Sequence, residues 1–189
     1  MTFMSISDLI HVAVGKGQLA HLPFLYDPAP ARRVVLLAPE IQGLVFGPWG
    51  CEDAEKRCTR LRADLEDFAR GGIVTVSLEP FRARSANSAL LHETRDEIWD
   101  VRSREPSPGL RVFGAFAARD VFVALSCWPR SRAVRWLPRP PLGRGTSAEY
   151  AVAIEDARKQ WRMVFGDAGR HGNGGADVEE YISERALLV

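Results

Sequence analysis

Cysteine, long apolar runs and a surplus of one charge are all scarce in this sequence of 189 residues. The three cysteines form no CxxC pair and no paired spacing, which argues against a disulfide framework and favours a reducing, cytoplasmic setting. No apolar run is long enough to cross a bilayer, and the first residues lack the basic leader and cleavage site of a signal peptide, so we expect no membrane partner. A net charge of +1 means that only local charge can indicate a partner.

Nucleotide-loop and metal chemistry are also not indicated. The glycine-rich stretches GRGTS and GNGG lack the preceding strand and the lysine of a phosphate-binding loop. No group of His, Cys, Asp and Glu has metal-ligand spacing, so we expect no metal and no cofactor. Cys51 and Cys58 share the apolar face of a predicted helix, and Cys127 lies in a predicted strand without a histidine nearby in sequence, so all three are expected to be core residues.

The periodic segments predict an α+β fold. Two amphipathic helices are expected, one over residues 51–70, ended by Gly71 and Gly72, and one that begins at Ser147 and ends at Gly166. Between them, three short apolar or alternating runs with tight turns predict an antiparallel meander: EIWDVRS, LRVFGAF and VFVALSCW. We therefore expect an antiparallel sheet of about four strands packed against two or three helices.

Three further segments have less regular apolar patterns, from which we predict one short helix and two or three strands. A short helix up to Val14 is expected near the amino terminus, capped by Ser5 or Ser7. The run RRVVLLAPE and the following IQGLVFGPWG predict one or two strands, and IVTVSLEPF predicts another.

Composition divides the chain into three parts. Residues 1–44 form an N-terminal extension to which we assign no role, and residues 45–166 form the folded domain. Residues 167–189 begin with a glycine-rich piece and are acidic, so they are predicted to be a flexible tail.

Basic residues concentrate in the meander and the connector that follows it. Nine arginines and no lysine lie between Trp99 and Arg144, against three acidic residues. The nine are Arg102, Arg104, Arg111, Arg119, Arg130, Arg132, Arg135, Arg139 and Arg144. Because the planar guanidinium fork suits bidentate phosphate recognition, this segment predicts an anion or nucleic-acid surface, although a solvated basic face explains it too.

The same segment resembles the RelE/HigB-like toxins of bacterial toxin–antitoxin pairs, including their phage-derived branch. Those toxins carry WELR, a turn, YRVLY, a turn and VLLHGFxKK before a final helix, and EIWDVRS, GLRVFGAF and FVALSCWPRSR are similar to these pieces in the same order. The likeness covers roughly residues 45 to 165. It implies helices packed on an antiparallel sheet whose concave face is the active surface of a metal-independent endoribonuclease. Such toxins cut mRNA, commonly on the ribosome, and a cognate antitoxin protein neutralises them.

The resemblance also implies roles for individual arginines. By position, Arg111 corresponds to the strand arginine that steadies the phosphate, and Arg102 and Arg104 correspond to basic residues near the first strand. These three are the expected catalytic residues. Arg130 and Arg132 stand where the family has a lysine pair and are expected to bind RNA phosphate.

The sequence offers no obvious residue for the proton transfer that RNA cleavage requires. Where the family often has His-Gly-Phe, this sequence has Ser126, Cys127 and Trp128, so a histidine is missing there, while Trp128 is expected to stack on an RNA base. General acid–base help contributes about 10²- to 10⁴-fold to such reactions.

Other titratable residues are each explained by simpler roles. His92 lies in a polar loop, His171 in the tail and Tyr150 on the buried stripe of the last helix, although each is a candidate to transfer a proton. Glu97 and Asp100 are expected to pair with neighbouring arginines.

Two alternatives to a ribonuclease toxin stay open at this point. The first is a non-catalytic module on the same fold that binds RNA, the ribosome or another protein. The second is that the acidic tail folds back over the basic sheet and inhibits the protein in cis.

Overall fold

The computed structural model describes residues 4–25, 31–77, 88–91, 97–142, 147–166 and 177–188. The helices within these ranges are α1 (Ile6–Gly15), α2 (Pro39–Phe46), α3 (Glu52–Ala69) and α4 (Ser147–Phe165). The strands are β1 (Ala20–His21), β2 (Val34–Leu37), β3 (Val74–Ser77), β4 (Ser88–Leu91), β5 (Ile98–Ser103), β6 (Leu110–Ala118), β7 (Val121–Pro129) and β8 (Ala186–Leu188). A short 3-10 turn covers Val178–Glu180.

The strands form one mixed sheet in the order β1-β2-β7-β6-β5-β4-β3-β8. The predicted meander is confirmed, because β5, β6 and β7 pair antiparallel in sequence order. Three pairings are parallel: β2 with β7, and β3 with both β4 and β8. The α+β fold, a sheet packed against helices, is therefore confirmed. The described residues contribute eight strands to the sheet where about four were expected, and the sheet is mixed rather than antiparallel.

Helices cover both faces of the sheet. On one face, α2 and α3 pack through Ile41, Val45, Leu61 and Leu65. On the other, α1 and α4 contribute a second core layer, made by Ala13, Tyr150, Ala153, Ile154, Ala157, Trp161 and Phe165. Strands β6 and β7 are buried on both faces, which explains why they read as nearly continuous apolar runs.

Local signals account for three of the helices as predicted. Ser5 caps α1 in a reciprocal capping box with Asp8, whose backbone N–H donates to the Ser5 hydroxyl over 3.2 Å. The apolar stripes of α3 and α4 form their buried faces, and Gly166 ends α4 with a positive φ of 63°.

Residues 39–46 correct one prediction. One or two strands were expected over RRVVLLAPE and IQGLVFGPWG; the first run forms β2, whereas IQGLVF forms α2, which begins with Pro39 in its first turn. Ile41 and Val45 are fully buried one helical turn apart, so the apolar pattern has a period of four rather than two.

The sheet includes strands from the predicted extension and from the predicted tail as well as from the predicted domain. Strand β2 comes from the predicted extension and pairs along its whole length with β7, inside the sheet. Strand β8 comes from the predicted tail and pairs with β3. Residues 177–188 are thus an ordered part of the fold, and the flexible-tail prediction is wrong for them.

Tyr181 anchors this carboxy-terminal segment on the face that α2 and α3 cover. Its ring is fully buried, with its centroid 4.8 Å from that of Trp99 and 5.6 Å from that of Phe116. Its hydroxyl donates to the buried carboxylate of Glu97, and its carbonyl accepts from the N–H of Asp120 over 2.8 Å. This segment therefore contributes to the core, which contradicts the idea that it inhibits the protein by lying over the arginines.

Replacing Tyr181 with alanine tests this anchoring. We expect the free energy of unfolding to fall by about 3–5 kcal/mol, because a buried ring is lost and a cavity is left in the core. Urea denaturation measures it, and Glu179→Ala, an exposed position in the same turn, should change stability by less than about 0.5 kcal/mol. An unchanged free energy of unfolding for Tyr181→Ala would contradict the packing.

A bulge interrupts the pairing of β6 with β7. Phe113 pairs with Ser126 but Gly114 pairs with Ala124, so Leu125 is an extra residue in β7. Gly114 has no room for a side chain there, because a Cβ on it would lie 2.2 Å from the carbonyl oxygen of Val123.

Gly114→Ala is expected to lower the free energy of unfolding by about 2 kcal/mol or more, because backbone rather than a flexible side chain has to move. Gly43→Ala is the matched control: Gly43 lies in α2 with open space around it, so alanine should raise stability by about 0.5–1 kcal/mol. Equal effects of the two substitutions in urea denaturation would contradict the close approach at the bulge.

Candidate functional site

The register between β5 and β6 brings two of the predicted arginines together. Arg102 pairs directly with Arg111, so both side chains leave the same face of the sheet, at the end nearest the β5–β6 turn. This is the face that α1 and α4 cover. The sequence left this register open, because a one-residue change in the turn would have put the two side chains on opposite faces.

Asp100 lies between the two arginines and is fully buried. Its Oδ2 accepts hydrogen bonds from Nη1 of Arg111 and from Nε of Arg102, the latter over 3.3 Å. The predicted pairing of Asp100 with neighbouring arginines is thus present. One carboxylate holds two guanidinium groups whose side chains are 8% and 11% exposed.

Arg130 joins this group from the end of β7. Its Nη1 donates to the hydroxyl of Tyr150 over 3.2 Å. The guanidinium carbon of Arg111 lies 5.7 Å from the centroid of the Tyr150 ring, so the tyrosine touches both arginines. We refer to Asp100, Arg102, Arg111, Arg130 and Tyr150 as the arginine cluster.

Tyr150 connects the arginine cluster to the core. It lies in the first turn of α4 and is buried, with its ring edge-on to Phe113 at a centroid distance of 6.0 Å. The periodicity of α4 predicted this burial correctly, but it gave no sign that the hydroxyl meets Arg130. Because Tyr150 is near the amino-terminal end of α4, the helix dipole adds partial positive charge to the site.

The arginine cluster carries excess positive charge. Three guanidinium groups face one carboxylate, which leaves two net positive charges in a partly buried setting. Burial lowers the pKa of Arg111 to about 10 and also lowers the pKa of Arg102, but both side chains stay protonated at neutral pH. An anion that reaches this site therefore gains from charges that water screens only in part.

Arg57 fixes the turn that sets the register. This arginine of α3 is buried, and its Nη1 donates to the carbonyl oxygens of Pro106 and Pro108 in the β5–β6 turn. Its Nε bonds Asp53 over 2.9 Å. The turn is thus held against α3, which keeps Arg102 opposite Arg111.

Trp128 shares a sheet face with Arg111 but belongs to the core. It pairs with Arg111 across β6 and β7 and is 4% exposed. The guanidinium of Arg139 covers its ring at 4.7 Å while also bonding Asp156 over 2.8 Å and the carboxylate of Glu40. Its ring therefore has no open face for the predicted stacking on an RNA base.

The remaining predicted arginines lie elsewhere. Arg104 is exposed just after β5 and lines a groove of about 170 Å³ together with Arg60 and Asp64 of α3. Arg132 is exposed in the bend after β7. The structure thus brings Arg102, Arg111 and Arg130 together, and leaves Arg104 and Arg132 at the surface. His92 and His171 lie outside the described residues.

Sequence reasoning gave Asp100 and Tyr150 only supporting roles. Alternation along β5 did place Asp100 on the face of Arg102, so its position was readable. The contact between Tyr150 and Arg130 depends on the bulge at Leu125 and on the packing of α4. Neither feature can be predicted from the residue periodicity of one segment.

Comparisons with known proteins identify no relative. No family model, no curated protein and no solved structure matches this chain. Within the described ranges, no helix is both long and apolar enough to cross a membrane. The same ranges contain no group of three or more His, Cys, Asp or Glu residues that could hold a metal ion.

Two of the cysteines are chemically sheltered. Burial raises the pKa of the Cys58 thiol to about 12, and it also raises the pKa of Cys127, which is fully buried in β7. Cys51 precedes the first residue of α3 and is exposed, so the prediction of a core position is wrong for this cysteine. This placement supports the interpretation of Cys58 and Cys127 as core residues rather than nucleophiles.

Thiol accessibility can be measured directly. With a chromogenic disulfide reagent at pH about 8, we expect one fast-reacting thiol per native chain and all three after unfolding in guanidinium. Cys51→Ser should abolish the fast phase, and Cys127→Ser should leave it unchanged. Two fast thiols in the native protein would contradict the burial of Cys58 and Cys127.

Proposed function

We propose that the arginine cluster binds a backbone phosphate of RNA and that the protein is a RelE-like, metal-independent endoribonuclease that cleaves mRNA and inhibits translation. The observation that carries the proposal is that Arg130 and Arg111 both contact Tyr150, one at its hydroxyl and one at its ring, while Arg102 lies directly opposite Arg111 in the sheet. The ribosome as the place of cleavage and a cognate antitoxin as the natural inhibitor are parts of the same proposal.

Charge and geometry support the phosphate assignment. Cleavage of RNA without a metal requires neutralisation of the non-bridging phosphate oxygens as charge develops on them, and preorganised guanidinium groups supply this. The β5–β6 register, the turn held by Arg57 and the ion pairs of Asp100 fix two of the three guanidinium groups before any ligand arrives. Such fixed donors lower the cost of ordering a binding site.

Tyr150 is the candidate for proton transfer that the geometry adds. Its hydroxyl accepts from Arg130 and its ring lies beside Arg111, so it is close to the place where a phosphate held by these arginines would sit. In the proposed reaction the RNA 2′-hydroxyl gives its proton to solvent water as its oxygen attacks the phosphorus. The bond from phosphorus to the 5′-oxygen breaks, Tyr150 donates its proton to that oxygen, and the tyrosinate takes a proton back from water. The products are a 2′,3′-cyclic phosphate and a 5′-hydroxyl end.

A second candidate function is a non-catalytic RNA- or ribosome-binding module on the same fold. Specific observations favour it: Ser126, Cys127 and Trp128 are all buried where the resemblance would place a catalytic histidine. The shared carboxylate of Asp100 also gives Arg102 and Arg111 an internal partner. Such a module binds RNA with strong salt dependence and leaves it intact.

Incubation of the purified chain with end-labelled single-stranded RNA in EDTA tests both functions. We expect products with 2′,3′-cyclic phosphate ends. Tyr150→Phe should slow cleavage by about 10²-fold or more and change RNA affinity much less, because the proton donor is lost while all three guanidinium groups remain. Arg130→Ala should weaken binding and reduce the slope of log K against log salt by about 1, because one phosphate contact is lost.

Arg119→Ala is the matched control, since Arg119 is exposed in the β6–β7 turn at the opposite end of the strands. It should bind and cleave RNA like the unmodified protein. Binding without cyclic-phosphate products would favour the non-catalytic module. RNA affinity that neither Arg111→Ala nor Arg130→Ala alters would rule out the arginine cluster as the site for either function.

A further inference from the structure

Asp100 is a buried carboxylate in the middle of a basic site. It is fully buried, and its Oδ2 is shared by Nη1 of Arg111 and Nε of Arg102. These arginines stand directly opposite each other on antiparallel strands, where side chains of like charge repel. The carboxylate therefore makes their close approach possible.

The ion pairs also decide which way the guanidinium groups face. An arginine side chain has large rotamer freedom, and its guanidinium carries five N–H donors in one plane. Asp100 takes one donor of each arginine, Nη1 of Arg111 and Nε of Arg102. Holding one donor of a planar fork restricts the direction of the others, and the guanidinium of Arg111 held in this way lies against the ring of Tyr150, whose hydroxyl accepts from Arg130.

We propose that Asp100 is a positioning residue: it sets the guanidinium groups of Arg102 and Arg111 in the orientation that receives a phosphate of RNA. The inference rests on the proposed function, and it adds that a negative charge inside the site strengthens the binding of an anion. Preorganisation reduces the entropy that the two arginines lose when the phosphate arrives.

The direction in which Asp100→Asn changes RNA affinity distinguishes a positioning role from an effect of charge alone. Asp100→Asn raises the net charge of the arginine cluster from two to three positive charges. If charge alone governed affinity, the variant would bind RNA more tightly. If Asp100 positions the arginines, the variant binds RNA more weakly although the site has become more positive.

The test uses a fluorescent single-stranded RNA with 2′-O-methyl sugars, which cannot be cleaved, so affinity is measured apart from chemistry. We expect Asp100→Asn to weaken binding by about tenfold or more and to reduce the slope of log K against log salt by about 1 or more. A role in stability alone would lower the melting temperature without lowering that slope. Asp100→Glu keeps the charge and should restore part of the affinity.

Unneutralised arginines can prevent the Asp100→Asn chain from folding, so a second comparison is made in the Arg102→Gln background. There, adding Asp100→Asn removes the partner of Arg111 while only one of the two opposed guanidinium groups remains. The positioning role predicts that the double variant binds RNA more weakly than Arg102→Gln. Charge alone predicts that it binds more tightly.

Tighter binding by either asparagine variant than by its parent, or unchanged binding, overturns the positioning role. If Arg111→Ala and Arg130→Ala weaken binding in the same experiment, the proposed function survives that result. If those two variants also bind like the unmodified protein, the proposed function fails and the positioning role fails with it.

Discussion

The bulge in β7 is the constraint on which the arginine cluster depends. Before it, Val123 and Leu125 pack toward α1 and α4, and after it Trp128 faces the same side, although strict alternation would turn it to the opposite one. Slipping a strand by one residue exchanges every side chain between the two faces. Without the extra residue, the end of β7 would carry Arg130 away from Arg111. The close approach of the two strands at Gly114 is what accommodates the bulge.

Buried arginines in this fold have two different electrostatic settings, and the contrast identifies the site. Arg33 is 1% exposed, its guanidinium donates to the carbonyl oxygens of Phe68, Gly72 and Glu184, and its Nε lies 3.9 Å from the Asp120 carboxylate, so it ties α3 and the carboxy-terminal segment together. In the arginine cluster, Arg102 and Arg111 instead share the carboxylate of Asp100, while Arg130 donates to Tyr150. A single buried cation held by its own partners stabilises a structure, whereas several arginines gathered at a half-buried site are the arrangement on which the proposed binding of an anion rests.

The sequence predicted those parts of the structure that local patterns determine. Helices α3 and α4 and the β5–β6–β7 meander were expected because periodicity and turn residues lie within each segment. Helix α2 was missed because eight residues with one glycine give a weak period, and the pairing of β2 with β7 and of β8 with β3 joins segments far apart in the chain. Arg102 and Arg111 were identified, but the register that joins them depends on Arg57, which reaches the turn from another element.

Helices cover both faces of the sheet, and this restricts the path by which an RNA could reach the arginine cluster. The resemblance implied an open concave face, whereas α1 and α4 cover the sheet up to Tyr150. Arg130, at the end of β7, is half-buried, as are Arg102 and Arg111, so these three are the members of the arginine cluster that reach the surface. With the Trp128 ring buried, the proposed contact is with phosphate and sugar rather than with bases. Backbone contacts position a nucleic acid but carry no sequence information. Under the proposed function, a ribonuclease that contacts only the backbone would take its choice of mRNA position from a second partner, and the ribosome, which holds mRNA in a fixed path, would meet that requirement.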